Sequence, residues 1–147
     1  KMGLDIYCRW GATDADGNVL DGMTVEEYEA QFTGFVPKPE VGYLRYSWGG
    51  AGWVRTTAAA LGVPSPIRAL FPGWEGSNGE VLAVTPAELE RLRGVRAEVA
   101  AALDGGFVGP VEADGLEAFK QCLRDTVGFI NFVEAHADRP GLRIEFD

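Results

Sequence analysis

At 147 residues, 46% hydrophobic and 24% charged, the chain suits one domain, residues 1–147, and lies far from the compositions of disordered or fibrous proteins. Its 13 basic and 22 acidic residues give a formal charge of −9, which argues against non-specific binding to nucleic acid or to an anionic membrane. Two cysteines, Cys8 and Cys122, are too few for a disulfide framework, and no apolar run approaches the roughly 20 residues that span a bilayer.

Lys1 stands ahead of a candidate initiator, Met2, and is left out of functional reasoning. The opening residues show neither the basic stretch nor the apolar run of a signal peptide, so a cytoplasmic location is expected. Leu4 to Trp10 reads as a strand, with Ile6, Cys8 and Trp10 on one face and Asp5, Tyr7 and Arg9 on the other. Asp16-Gly17 marks a turn. Thr24 and Glu27 form a capping box, predicting a helix from Val25 to Phe32 that stops at Gly34. Pro37 and Pro39 make the next stretch extended. Val41 to Trp48 reads as a second strand, ended by a Gly49–Gly52 turn, with a short helix expected from Trp53 to Leu61.

Ser65 to Gly79 reads as an ordered loop around a helical turn at Pro66–Phe71, followed by a short strand over Val81–Val84. Thr85-Pro86-Ala87-Glu88 joins an N-cap, a proline at the first helical position and a box glutamate. The helix it opens should reach Leu103 with Leu89, Leu92, Val99 and Leu103 inward. Asp114 with Glu117 is expected to open a last helix to Ala137, whose broad apolar face (Phe119, Leu123, Ile130 and Val133 among others) places it centrally in the core. After Pro140-Gly141, Leu142, Ile144 and Phe146 alternate with charged residues as a final strand. The fold class is therefore α+β: a three- or four-stranded, mainly antiparallel sheet with helices on one face. The other face would show Asp5, Tyr7, Arg9, Tyr43, Arg45, Arg143 and Glu145 to solvent.

Val41 to Trp74 contains no acid at all, yet carries Arg45, Arg55 and Arg68 and six aromatic residues. A glycine-rich turn opening a helix leaves backbone N–H groups that hold anions, and Arg55 one turn later can add a bidentate contact. Gly49, Gly50, Gly52, Trp48, Trp53 and Arg55 are thus a candidate site for a small anionic or aromatic ligand. A buried structural segment explains the same composition. Tyr7, Arg9, Tyr43 and Arg45 are a candidate interface, since Tyr and Arg are enriched where proteins meet; a plainly solvated sheet face explains them equally.

Catalytic and metal patterns are missing. Gly50-Ala51-Gly52 lacks both the Walker residues and the third glycine of a dinucleotide fingerprint. Glu75 stands where a nucleophile elbow needs glycine. The acids at 14–21 have the wrong spacing for a calcium loop, and a single histidine, His136, disfavours imidazole metal sites. Along one helix His136 would lie about 21 Å from Cys122, too far to activate it. The expectation is a protein without cofactor, leaning away from an enzyme.

Gly3-Leu4-Asp5-Ile6-Tyr7, Gly22-Met23-Thr24, Gln31-Phe32-Thr33-Gly34-Phe35 and Val41-Gly42-Tyr43-Leu44-Arg45 resemble a group of small uncharacterised bacterial proteins. The resemblance implies no activity, cofactor or functional residue; such proteins often travel on mobile genetic elements. The leading expectation is a non-catalytic binding module at the Gly49–Arg55 segment. The alternative is a homodimerising or protein-interaction module, of the kind carried as mobile-element cargo, using the open sheet face.

Overall fold

The computed structural model describes residues 3–63, 65–73, 78–107 and 112–147, without the side chains at 47–52 and 113. Four strands, β1 (Gly3–Arg9), β4 (Tyr43–Ser47), β5 (Val81–Ala83) and β6 (Arg143–Phe146), form one antiparallel sheet in the order β4-β1-β6-β5. A small hairpin of β2 (Ala12–Thr13) and β3 (Val19–Leu20) stands apart from it. The helices are α1 (Val25–Glu29), α2 (Trp48–Leu61), α3 (Pro66–Leu70), α4 (Pro86–Gly105) and α5 (Ala113–Ala135), with a 3-10 turn at Pro39–Val41. The α+β class and the four-stranded antiparallel sheet match the expectation, and Val81–Ala83 joins the sheet at its edge. No described helix is long and apolar enough to cross a membrane.

Side-chain caps fix the starts of α1 and α4. Thr24 Oγ1 accepts from Glu27 N at 3.1 Å and Glu27 Oε1 accepts from Thr24 N at 2.9 Å, the full reciprocal box. Thr85 Oγ1 accepts from Glu88 N, and Pro86 opens α4 as expected. Three boundaries differ. α1 ends at Glu29 and continues to Phe32 only as turns, with Phe32 N donating to Glu29 O. Glu112, not Asp114, is the N-cap of α5, so Asp114 falls in the first turn, where its charge favours the helix dipole. The predicted Gly49–Gly52 turn does not exist: β4 passes directly into α2 at Trp48, so these glycines lie in helical turns.

One face of the sheet carries Leu4, Ile6, Cys8, Leu44, Ile144 and Phe146, all buried against Leu92, Val99, Phe119, Phe129, Ile130 and Val133 of α4 and α5. Each fully buried side chain of this kind contributes about 1.5–3 kcal/mol. α4 and α5 are also clasped outside the core, where Glu134 accepts from Arg96 Nη1 at 2.8 Å and from Arg93 Nε.

The second face is not open. Asp5 and Tyr43 are 0% and 1% exposed, and Tyr7 is buried beside them. The antiparallel register sets Asp5 opposite Arg45 and Tyr7 opposite Tyr43. Asp5 Oδ1 accepts from Tyr43 Oη at 2.5 Å and from Arg45 Nη1 at 2.6 Å. Tyr7 stacks on Tyr43 at 5.1 Å, and Arg9 lies over Tyr7 at 4.0 Å while pairing with Glu145 at 2.9 Å. The segment from Trp10 to Gly42 folds back over these groups. Gln31, itself buried, donates to Cys8 O and Val41 O and accepts from Arg9 Nε, stitching the segment to the sheet. Tyr28 covers Arg9, and Phe35 covers Arg45.

Removing one member of a buried charge pair strands the other. Asp5→Ala is therefore expected to lower unfolding free energy by about 3–5 kcal/mol in urea melts. Replacing the trio together (Asp5→Leu, Tyr43→Phe, Arg45→Met) should cost far less, because no charge is left behind. Arg96, then Arg93, pull Glu134 down from 4.5 to about 2. That clasp's contribution is complete above the ordinary carboxylate range and is lost as pH falls toward 2. The difference in melting temperature between wild type and Glu134→Gln should accordingly shrink on acidification from pH 5.

Candidate functional site

A cleft of about 880 Å³ opens between α1, the 3-10 turn and α5, at the end of β1. That volume is within the range of small-molecule sites. One stripe of α5 lines it, running through Gln121, Asp125, Gly128, Phe132, Ala135 and His136 at helical spacing. α1 contributes Glu26, Glu27 and Ala30; the 3-10 turn contributes Pro39, Glu40 and Val41.

Two glycines set its walls. A Cβ on Gly128 would lie 3.0 Å from Pro39 Cβ, so the 3-10 turn rests directly on α5 there. Gly42 has φ 80°, and a Cβ there would meet the Phe132 ring at 2.5 Å, so only glycine suits both backbone and packing.

The floor is aromatic. Trp10, buried at the end of β1, stacks on His136 with ring centroids 4.6 Å apart and planes 18° from parallel. Phe132 meets His136 at 4.2 Å and Trp10 at 6.0 Å. His136 Nδ1 lies 2.8 Å from the Phe132 carbonyl, which only accepts, so the proton of the neutral ring sits on Nδ1.

The rim is acidic. Glu26, Glu27, Glu40 and Asp125 stand against one cation, Arg124, which turns toward Gln121 Oε1 at 3.2 Å and Glu117 at 3.8 Å. Burial pushes the Asp125 carboxyl up from the usual range; Glu40 pushes the same way, while the Gln121 bond and Arg124 oppose. Asp125 thus carries its charge at a cost to the fold, a pattern that concentrates at functional sites. Aromatic surfaces bordered by carboxylates attract cations through both charge and ring quadrupole.

The expected site residues lie elsewhere. Trp48, Gly49, Gly50 and Gly52 occupy the start of α2, and Trp53 and Arg55 are exposed on the same helix; neither Trp53 nor Arg55 lines the cleft. Tyr7, Arg9, Tyr43 and Arg45 do come together, but beneath the Trp10–Gly42 segment rather than at the open sheet face expected. Their polar groups pair with one another and with Asp5, Gln31 and Glu145, which is why an alternating charged strand is buried on both sides. The acids at 14–21 form a local turn, with Asp14 Oδ1 accepting from Asp16 N and Asn18 N at 2.9 Å.

Nucleophilic chemistry finds no support at the cysteines. Burial pushes Cys8 up to about 12 and Cys122 up to about 11, leaving thiols that are poor nucleophiles at neutral pH.

No protein-family model, curated protein or solved structure matches this chain.

Asp125 has a folded pKa above its unfolded value, so its contribution is favourable at low pH and is lost as pH rises. Asp125→Asn, which can keep a hydrogen bond to Gln121, is expected to raise the melting temperature at pH 7 and leave it unchanged at pH 3. Scanning calorimetry of both proteins at the two pH values checks this.

Proposed function

We propose that this protein is a non-catalytic binding module whose site is the α1–α5 cleft and whose ligand is a small, flat, positively charged molecule. The observation that carries this reading is the aromatic floor of Trp10, Phe132 and His136 beneath a rim of four carboxylates. A flat apolar body would lie in the cleft, and its cationic group would reach Asp125 and Glu40. The cation would offset the repulsion that Glu40 adds to the larger cost of burying Asp125. An anionic ligand is disfavoured by the same rim, which reverses the charge expected from the arginine-rich segment at Arg45–Arg68.

Tryptamine and indole-3-acetate share a ring and differ in charge, so they separate the two readings. Tryptamine at a hundred times its dissociation constant should stabilise wild type by ~2.7 kcal/mol, a shift of a few degrees. Asp125→Asn should lose most of that shift although its free form is the more stable, and Arg55→Ala should keep it. Preference for indole-3-acetate, or loss of binding in Arg55→Ala alone, would refute the cleft in favour of the α2 segment.

A further inference from the structure

Of the nine large hydrophobic side chains exposed among the described residues, five (Val25, Tyr28, Phe32, Phe35 and Val36) fall within one short segment. Phe32, Phe35 and Val36 are 56%, 66% and 61% exposed. Val25, Tyr28 and Phe32 follow helical spacing along α1 and its last turns, and a second depression beside Phe32 and Val36 shares Ala30 and Glu40 with the cleft.

These rings are held in place rather than left loose. Tyr28 and Phe32 meet edge to face at 4.9 Å. Arg9 backs Tyr28 at 4.7 Å and Arg45 backs Phe35 at 4.6 Å, each from the sheet side. Phe35 also has φ 66°, a left-handed conformation that a bulky side chain adopts only under constraint. A clustered, preorganised apolar surface is what an interface presents, because little side-chain freedom remains to be lost on binding.

Charge decides the occupant. Glu29 and Glu40 border this surface beside a single lysine, Lys38, while Arg45 beneath is already paired with Asp5. A second copy would set these glutamates against their own equivalents across a twofold axis, each chain carrying −9. An anionic lipid surface is repelled by the same rim. We infer that the outer face of α1 and residues 32–36 dock a segment of another protein that presents apolar side chains flanked by lysine or arginine. The surface adjoins the cleft at Ala30 and Glu40, and the response to Asp125→Asn tells the two readings apart.

The probe is a short amidated leucine–lysine peptide with apolar residues at helical spacing, compared with its leucine–glutamate counterpart by fluorescence anisotropy. Wild type should bind the lysine peptide and not the glutamate one. Phe32→Ser/Val36→Ser, exposed positions whose change leaves the melting temperature in place, should weaken binding by about tenfold or more. Glu29→Lys should weaken it in a salt-dependent manner, and Asp125→Asn should leave it unchanged. Absence of binding overturns the proposal, as does affinity that survives Phe32→Ser/Val36→Ser, which would reflect charge attraction alone. A dimer in sedimentation that Phe32→Ser abolishes would also overturn it, in favour of a second copy.

Discussion

A carboxylate buried in the middle of a sheet constrains everything around it. Asp5 sits on β1, between β4 and β6, with no exposed surface. An isolated charge there would cost many kcal/mol, so the fold must bring partners to it. The register against β4 brings Arg45 and Tyr43, and the backbone of Asp5 also exchanges bonds with Asp147, from its N to Asp147 O at 3.0 Å and from Asp147 N to its O at 2.8 Å. These partners carry polar surface of their own, which the Trp10–Gly42 segment closes by laying Tyr28, Gln31 and Phe35 on top. Once the segment is fixed there, α1 and the 3-10 turn stand beside α5, and the cleft is the gap between them.

Much of this architecture was legible because its signals are local. Capping boxes, proline at a helix start and period-two alternation each act within a few residues, and they located α4, β1, β6 and the start of α1. The burial of the second face was not legible. Alternating Asp5, Tyr7 and Arg9 look the same in sequence whether water or a returning segment satisfies them, and what settles it is pairing with Tyr43, Arg45 and Glu145, residues far along the chain. The glycines at 49–52 misled for a related reason. Glycine is a poor helix former in isolation, so a glycine run reads as a turn, yet in this chain α2 begins at Trp48.

The cleft was hidden by its neighbour. The core face of α5, through Phe119, Leu123, Ile130 and Val133, is strongly periodic and Phe132 reads as an extension of it, while Gln121, Asp125 and Gly128 form the adjacent polar stripe. A glycine amid that stripe was the one local sign of close approach. His136 was placed correctly at a helix end, but its stacking on Trp10 joins opposite ends of the chain.

The most direct measurement is a titration of isotope-labelled protein with tryptamine, followed by amide and indole resonances. Changes confined to Gly128, Asn131, Ala135 and the Trp10 indole are expected if the cleft is the site. Changes centred on Gly49–Arg55, or none at saturating tryptamine, would contradict it.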